Sequence, residues 1–315
     1  MIEIKNLSKH FGPKVAVDNL SLSVQKGEVL GFLGPNGAGK STAMRMITGY
    51  LPPTAGSVSV GGADIVDSPN AAKTRIGYLP ESAPLYADMT VTSFLNFAAE
   101  LRGMSGAKKT EAVNKAIDTC FLQKVRDQAI DTLSKGYRHR TCLAQAIIHD
   151  PEVLILDEPT DGLDPNQKDV VRNLIKEMGK TKAIVFSTHI LEEVEACCSR
   201  AIIIDQGRIV ADGTPDELRR RATRAGTVHV KIQGQDGASI RNDLANLRHA
   251  GNVEGETGAT EFNGNIRPKA KTAPGSLAGE VYALCQSKGL QLLELHEDQG
   301  RLDEMFRELT SQGKA

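Results

Sequence analysis

Apolar residues follow two different spacings along the chain, and these spacings separate predicted strands from predicted helices. In residues 2–11 and 20–24, apolar and polar positions alternate, which is typical of half-buried strands. The nearly continuous apolar runs in residues 28–33, 153–156 and 183–186 are typical of strands buried on both faces of a parallel sheet. The pattern therefore predicts an α/β fold in which an antiparallel β flap accompanies a parallel sheet.

A helical stretch is inserted into this pattern at about residues 83–150. Phe94 and Leu101 recur at helical spacing there, as do Val113 and Ile117. We interpret the stretch as a helical subdomain whose aromatic residues pack in a core and do not form a ligand site.

The pattern changes again after Gly226. Apolar residues alternate with polar ones from Val228 to Ile232, and helical and strand-like segments then follow in turn up to a final helix. Their order predicts a small α+β unit of the β-α-β-β-α-β kind with an extra helix. We therefore expect two domains, one of residues 1–225 and an accessory domain of residues 226–315.

Composition narrows the possible functions. The 38 basic and 39 acidic residues give a formal net charge of −1, which disfavours a nucleic-acid partner. The five cysteines lack metal-site spacing, so we expect reduced thiols. No apolar stretch approaches the roughly 20 residues that span a bilayer. Work at a membrane would therefore require a membrane-embedded partner.

The clearest chemical signal follows the strand predicted at residues 28–33. The segment fits the pattern G-x-x-x-x-G-K-[ST] and consists of Gly34, Pro35, Asn36, Gly37, Ala38, Gly39, Lys40 and Ser41. Its glycines let backbone N–H groups surround phosphate oxygens, and the following helix start adds a partial positive charge. We expect Lys40 to reach the β- and γ-phosphates and Ser41 to bind Mg²⁺, and we count Thr42 among the cofactor-binding residues.

Two carboxylates end the apolar run of residues 153–156. Ligands bind at the carboxyl ends of parallel strands, so Asp157 is predicted to hold Mg²⁺ through water and Glu158 to take a proton from an attacking water. Because strand neighbours alternate, the two side chains are expected to point in different directions. His189 ends another buried strand and is predicted to contact the γ-phosphate, with a purely structural role as the alternative.

Two weaker signals lie elsewhere in the chain. Ser134 is predicted to cap a helix, and a capped helix start beside a glycine such as Gly136 can bind an anion, although most capping serines only cap. Phe11 lies upstream of the glycine-rich segment. Its ring suits either stacking on a nucleotide base or packing at a strand edge, and the sequence leaves both open.

Together these segments resemble the ATP-binding cassette (ABC) family over roughly residues 2–220. Residues 34–41 are similar to Walker A, residues 133–140 to the family signature, Asp157 and Glu158 to the end of Walker B, residues 161–164 to the D-loop and His189 to the switch histidine.

The resemblance implies a P-loop ATPase with ATP and Mg²⁺ as cofactors, in which Lys40, Glu158 and His189 are catalytic. It also implies a head-to-tail dimer, with the Ser134 and Gly136 of one copy covering ATP on Walker A of the other. Such a dimer docks on an integral membrane permease subunit, as a peripheral protein on the cytoplasmic face of the inner (plasma) membrane.

Two departures refine the resemblance. Glu81 stands where the family usually has glutamine, which makes it a candidate Mg²⁺ ligand. Residues 133–137 read Leu-Ser-Lys-Gly-Tyr, where Leu-Ser-Gly-Gly-Gln is usual. Both features are similar to the ATPase subunits of ABC-2-type exporters, including the gliding-motility and copper-maturation branches.

Two other functions remain as alternatives. Soluble cassette ATPases that act on ribosomes or DNA typically carry two cassettes or long coiled-coil insertions, and the sequence shows neither pattern. A nucleotide-binding regulator that does not hydrolyse ATP is suggested by Glu81 and Tyr137. The presence of Lys40, Asp157 and Glu158 argues against that second alternative.

Overall fold

The N-terminal alternating segments form the predicted antiparallel flap in the computed structural model, which describes residues 1–82, 84–270 and 272–311. With strands numbered along the chain, the flap contains β1 (Ile2–Phe11), β2 (Lys14–Val24), β4 (Ala55–Val60) and β5 (Ala63–Asp64), in the spatial order β2-β1-β4-β5. β2 begins earlier than the alternation predicts. The reason is a turn at Gly12, with φ of 58°, which brings Lys14 directly opposite Phe11.

The buried apolar runs form a second sheet, and this sheet positions the functional side chains. Its strands in spatial order are β10 (Arg208–Gly213), β9 (Arg200–Asp205), β3 (Val29–Leu33), β8 (Ala183–Thr188), β7 (Val153–Asp157) and β6 (Ile76–Leu79). The pairs from β9 to β6 are parallel, and every residue of β3, β7 and β8 is buried, as predicted. Leu33 pairs with Thr188, and Asp157 pairs with Ser187. The carboxyl ends of these three strands therefore meet at one edge.

Helices complete the first of two compact units, residues 1–215. They are α1 (Lys40–Ile47), α2 (Pro69–Lys73), α3 (Val91–Leu101), α4 (Gly106–Thr119), α5 (Lys135–Ile147), α6 (Pro165–Gly179) and α7 (Leu191–Cys197). One apolar core contains Phe32 and Met44, and another contains Leu156 and Phe186. Side chains of the same parallel sheet thus enter two different cores, as expected for a sheet buried on both faces.

The inserted helical subdomain contains α3, α4 and α5. Phe94, Val113 and Ile117 are buried in one core, which confirms that this stretch is helical and packed. Leu101, the last residue of α3, is 71% exposed, so the packed face of that helix ends before it. The predicted start of the subdomain, residue 83, lies outside the described residues.

The second compact unit begins at Asp216, immediately after the first residue of the short helix α8 (Pro215–Arg219). Its further elements are β11 (Val228–Gln233), α9 (Gly237–Ala245), β12 (Ala250–Thr257), β13 (Glu261–Pro268), α10 (Ser276–Lys288), β14 (Gln291–Glu297) and α11 (Leu302–Ser311). The strands form an antiparallel sheet in the order β12-β13-β11-β14. This arrangement confirms the predicted β-α-β-β-α-β unit with an extra helix.

The two units do not divide where the sequence places the domain boundary. Residues 216–225 group with the second unit, whereas the predicted boundary follows residue 225. The independent folding of the accessory domain stays a prediction. Residues 271 and 312–315 of that predicted domain lie outside the described residues. Within the described part of the chain, no helix has both the length and the apolar character needed to cross a bilayer.

Candidate active site

The phosphate-loop segment joins β3 to α1, as its sequence pattern requires. Gly39 is the residue before α1 and has φ of 106°, a backbone conformation that side chains with a Cβ rarely adopt. A Cβ at this position would also collide with the backbone carbonyl oxygen of Ala16 in β2. Only glycine therefore fits at the end of this loop, and the loop lies directly against β2.

Lys40 lies over its own loop. Its side chain is 6% exposed, and its Nζ donates hydrogen bonds to the carbonyl oxygens of Gly34 at 2.7 Å and Pro35 at 3.3 Å. The same Nζ lies 3.7 Å from Glu158 Oε1. The ammonium group is thus held between the phosphate loop and the carboxylate that follows β7.

Asp157 is joined to the start of α1 and to the end of β8. Its Oδ1 accepts hydrogen bonds from Ser41 Oγ at 3.2 Å and from Ser187 Oγ at 2.5 Å. Asp157 is 1% exposed, and its Oδ2 is buried without a hydrogen-bond partner among the described residues. Because buried carboxylate oxygens are normally paired, this oxygen is available for a bound group.

Glu158 turns away from the strand that precedes it. Its φ is 50°, a left-handed conformation, and its N–H donates to Ser187 Oγ at 3.0 Å. The side chain lies beside two basic groups, since Oε2 is 3.0 Å from Nδ1 of His189 and Oε1 faces Lys40. Asp157 and Glu158 were expected to point in different directions because side chains alternate along a strand, and that reason is wrong. Glu158 lies beyond the last residue of β7, and the left-handed turn sets its direction.

The surroundings of Glu158 act on its pKa in opposite directions. Burial raises the pKa of this carboxyl above its usual value, while the positive charges of His189 and Lys40 oppose that increase. A carboxyl with a raised pKa accepts a proton more readily than an exposed one, and such groups are typical of active sites.

The signature residues are separate from this cluster. Ser134 caps α5, and its Oγ accepts a hydrogen bond from the N–H of Tyr137 at 3.4 Å, as predicted. A Cβ at Gly136 would collide with the side chain of Gln167. No hydrogen bond or ion pair in the described part of the chain joins Ser134 or Gly136 to the phosphate loop.

Phe11 and Glu81 are also outside the cluster. The Phe11 ring is 49% exposed at the end of β1, with Lys9 Nζ 5.3 Å from its centroid. It is therefore not a core aromatic. Glu81 is exposed after β6, and none of the hydrogen bonds found among the described residues links it to Asp157 or Ser41.

Sequence reasoning missed four residues of this site: Thr160, Ser187, Thr188 and Glu193. Ser187 and Thr188 are hydroxyl residues at the end of an otherwise apolar strand, a pattern that indicates polar contacts where the strand ends. Glu193 is one of two adjacent glutamates in α7, and nothing in the sequence distinguishes the buried one from the exposed one.

Comparisons with known proteins agree with this geometry. A family model described as ABC transporter matches residues 17–161. Nod factor export ATP-binding protein I of Burkholderia lata is 35% identical over 257 residues, which cover 81% of this chain and 84% of that protein. Its counterpart from Paraburkholderia xenovorans is 37% identical with the same coverage. A solved structure described as the ATP-binding subunit of an ABC transporter is 31% identical, with a TM-score of 0.65 over 70% of this chain and 92% of that one.

These findings define the class of protein. The chain belongs to the ABC transporter ATP-binding proteins. It is the ATP-binding subunit of an ABC transporter, and it is an ATPase.

Proposed function

We propose that this chain drives an ABC-2-type exporter. Two copies bind head to tail and dock on a separate integral membrane permease at the cytoplasmic face of the inner membrane, where ATP-driven closure of the pair is coupled to transport. The observation that carries the proposal is the separation of two anion-binding features, the phosphate loop with Lys40 and the helix start at Ser134.

The start of α5 suits an anion supplied from outside its own chain. Ser134 is exposed, and the helix behind it has 13 residues, enough to give its N-terminus a partial positive charge. In a head-to-tail pair, Ser134 and Gly136 cover the ATP that Lys40 of the other copy holds. A complete ATP site then requires both copies. This requirement accounts for the separation of the phosphate loop and the start of α5 within one chain.

The residues around Asp157 fit a magnesium ion. Ser41 Oγ lies 3.2 Å from Asp157 Oδ1, and Asp157 Oδ2 is the buried oxygen without a partner in the described residues. Mg²⁺ prefers such oxygen donors and usually keeps several waters. We propose that Ser41 binds the ion directly and Asp157 binds it through water. When bound with ATP, such an ion would supply positive charge against the phosphates.

Glu81 is a third proposed magnesium ligand. It follows β6, whose Leu79 pairs with Leu156 of β7, so Glu81 and Asp157 leave the sheet at the same edge.

Phe11 is proposed to stack on the adenine base. Its exposed ring ends β1 opposite the start of β2, the strand that contacts the phosphate loop.

The chemistry falls to Glu158, His189 and Lys40. Glu158 takes the proton of the attacking water on its carboxylate, for which its raised pKa is suited. His189, 3.0 Å away, holds that carboxylate and faces the γ-phosphate. Lys40 exchanges the carbonyl oxygens of its own loop for phosphate oxygens.

Export is the direction that the relatives support. The two relatives compared above are named for export of Nod factor, and the chain covers most of their length. The Leu-Ser-Lys-Gly-Tyr signature variant and the near-zero net charge of −1 also agree with an exporter subunit that does not bind nucleic acid.

The dimer is tested by two variants with different expected losses. Ser134→Arg is expected to abolish ATP-driven dimerisation in gel filtration while ATP affinity of the monomer stays within about twofold, because the serine acts on the other copy's nucleotide. Lys40→Ala is expected to weaken ATP binding itself. Ser105→Arg, at the exposed start of α4, is the matched control and should change neither property. Equal losses in the first two variants would contradict a site shared between copies.

The membrane partner is tested with membranes of the source organism that have been stripped of peripheral proteins. The purified chain is expected to bind them saturably and to cross-link to an integral membrane protein. Liposomes made from the extracted lipids are the control. Equal binding to liposomes, or no binding to either, would contradict the permease proposal.

A further inference from the structure

A buried carboxylate outside the nucleotide motifs joins the loop that follows β7 to the end of β8. Glu193, in α7, is 1% exposed. Its Oε2 accepts a hydrogen bond from Thr188 Oγ1 at 2.7 Å, and its Oε1 accepts one from Thr160 Oγ1. Each carboxylate oxygen is thus bonded to a different segment, one to the last residue of β8 and the other to the loop after β7.

The contact with Thr188 holds the backbone on both sides of His189. The same hydroxyl that donates to Glu193 also accepts a hydrogen bond from the N–H of Ile190 at 3.0 Å. Thr188 and Ile190 are the immediate neighbours of His189. Glu193 therefore anchors a closed turn from which the imidazole of His189 extends toward Glu158.

The contact with Thr160 holds the loop that contains Glu158. Thr160 is 2% exposed and lies two residues after Glu158, whose left-handed backbone requires support from its surroundings. Because the end of β8 and the loop after β7 are attached to one carboxylate, the 3.0 Å separation of Glu158 Oε2 and His189 Nδ1 does not depend on either segment alone.

Two cations of α6 complete the environment of Glu193. Lys168 Nζ lies 4.0 Å and Arg172 Nη2 lies 3.9 Å from its Oε1. A buried carboxylate is expensive unless it is paired and hydrogen-bonded, and here both conditions are met. Replacement of a buried ion pair by well-packed apolar residues of similar volume is often neutral or stabilising. The polar arrangement therefore points to a requirement for position.

We infer that Glu193 is a positioning residue for ATP hydrolysis, which keeps Glu158 and His189 in register without touching the nucleotide. The inference rests on the roles proposed above for those two residues. It predicts that loss of Glu193 lowers the rate of hydrolysis and leaves ATP binding unchanged, because the phosphate loop is not among its contacts in the described residues.

The main experiment compares three variants of the full chain. Glu193→Ala is expected to lower kcat by about 100-fold, the size of loss expected when catalytic groups are misplaced by about 1 Å, with KM for ATP within about twofold. Glu193→Gln keeps the shape and one acceptor, so a loss of about tenfold is expected. Glu192→Gln, on the exposed side of the same helix, is the matched control and should retain wild-type kcat.

Variants of the partners keep the test independent of folding defects. Thr160→Val removes the hydrogen bond to Glu193, and Thr188→Val removes both the bond to Glu193 and the bond from the N–H of Ile190, each with little change in volume. Each variant is expected to lower kcat by a few-fold, with KM unchanged. In the double variant His189→Ala with Glu193→Ala, kcat should fall no further than about twofold below His189→Ala alone, because both changes disrupt the same unit.

The outcomes separate this inference from the proposal on which it rests. Fully multiplicative losses in the double variant, or unchanged kcat in Glu193→Ala and both threonine variants, would overturn the positioning role while leaving Glu158 and His189 as catalytic residues. Wild-type turnover in both Glu158→Gln and His189→Ala would instead overturn the catalytic roles themselves.

Discussion

The two compact units of this chain bury very different kinds of residue. Among the described residues, the buried polar or charged side chains are concentrated in residues 1–215, and Thr227 alone represents this class in the second unit. The second unit has an apolar core built around Phe262 and Val281. Its sheet places polar residues such as Lys231 and Gln233 on the opposite face.

Part of the difference follows from the direction of the strands. In a parallel sheet all carboxyl ends lie on one edge, so Asp157, Thr188 and the phosphate loop come together there. An antiparallel sheet distributes strand ends over both edges. The first unit can therefore bring charged and hydroxyl groups together where its parallel strands end, whereas the antiparallel strands of the second unit end on two opposite sides.

The strongest change that we expect is a loss of ATP hydrolysis in the first unit without a loss of its fold. Glu158→Gln should lower turnover by about 10²–10⁴-fold, since an amide cannot accept the proton of the attacking water. ATP binding should persist, and the ATP-bound dimer should accumulate in gel filtration. Phosphate release and nucleotide titration measure the two properties. Wild-type turnover together with a purely monomeric profile in ATP would exclude Glu158 as the base.

A cavity in the second unit should have the opposite consequence. Phe262 is fully buried, so Phe262→Ala should cost about 3–5 kcal/mol in the free energy of unfolding of that unit, while ATP affinity stays unchanged. Hydrogen exchange followed by mass spectrometry reports the two units separately. Phe186→Ala is the matched change in the core of the first unit, and it should impair ATP binding as well.

Truncation gives the same comparison without a folding defect in the second unit. A chain that ends at Arg224 should retain ATP binding, because every proposed nucleotide contact precedes it. Loss of ATP binding in a truncated chain that still folds would contradict this independence.

Acid should act on the first unit through His139 and His149. Burial is the largest cause that lowers the pKa of each imidazole from 6.5 to about 4, and both are therefore neutral at pH 7. Between pH 6.5 and 4 the unfolded chain binds protons that the folded chain does not, so stability should decline as pH falls through this window. Thermal unfolding of His139→Gln should show a shallower decline than the wild type. An unchanged slope would show that His139 does not contribute.

The smallest expected effect concerns Glu81. A carboxylate near the metal attracts Mg²⁺ and repels the triphosphate, so Glu81→Gln should need a few-fold more Mg²⁺ for half-maximal hydrolysis and should bind metal-free ATP more tightly. A magnesium titration measures both. Unchanged values would mean that Glu81 points away from the metal and serves the interface with the membrane subunit.

Much of the fold could be predicted because the relevant signals are local. The alternation of apolar residues identified the flap and the second unit, and the apolar runs identified β3, β7 and β8. Residue types within a few positions of one another predict the phosphate loop, the capping role of Ser134 and the two carboxylates at the end of β7. These features depend on residues that are neighbours along the chain, so local physical chemistry is enough to predict them.

Other features depend on contacts between distant segments, and they are set only when the chain folds. Lys40 and Glu158 meet because β3, β8 and β7 are parallel neighbours in one sheet, and no local pattern contains this strand order. The left-handed turn at Glu158 could not be predicted either, because the hydrogen bond from its N–H goes to Ser187, which is distant in the chain. Glu193 resembles its exposed neighbour Glu192 until the fold buries it against Thr160 and Thr188. Burial and pairing change what a carboxylate does, and both are set by residues that the chain brings together only when it folds.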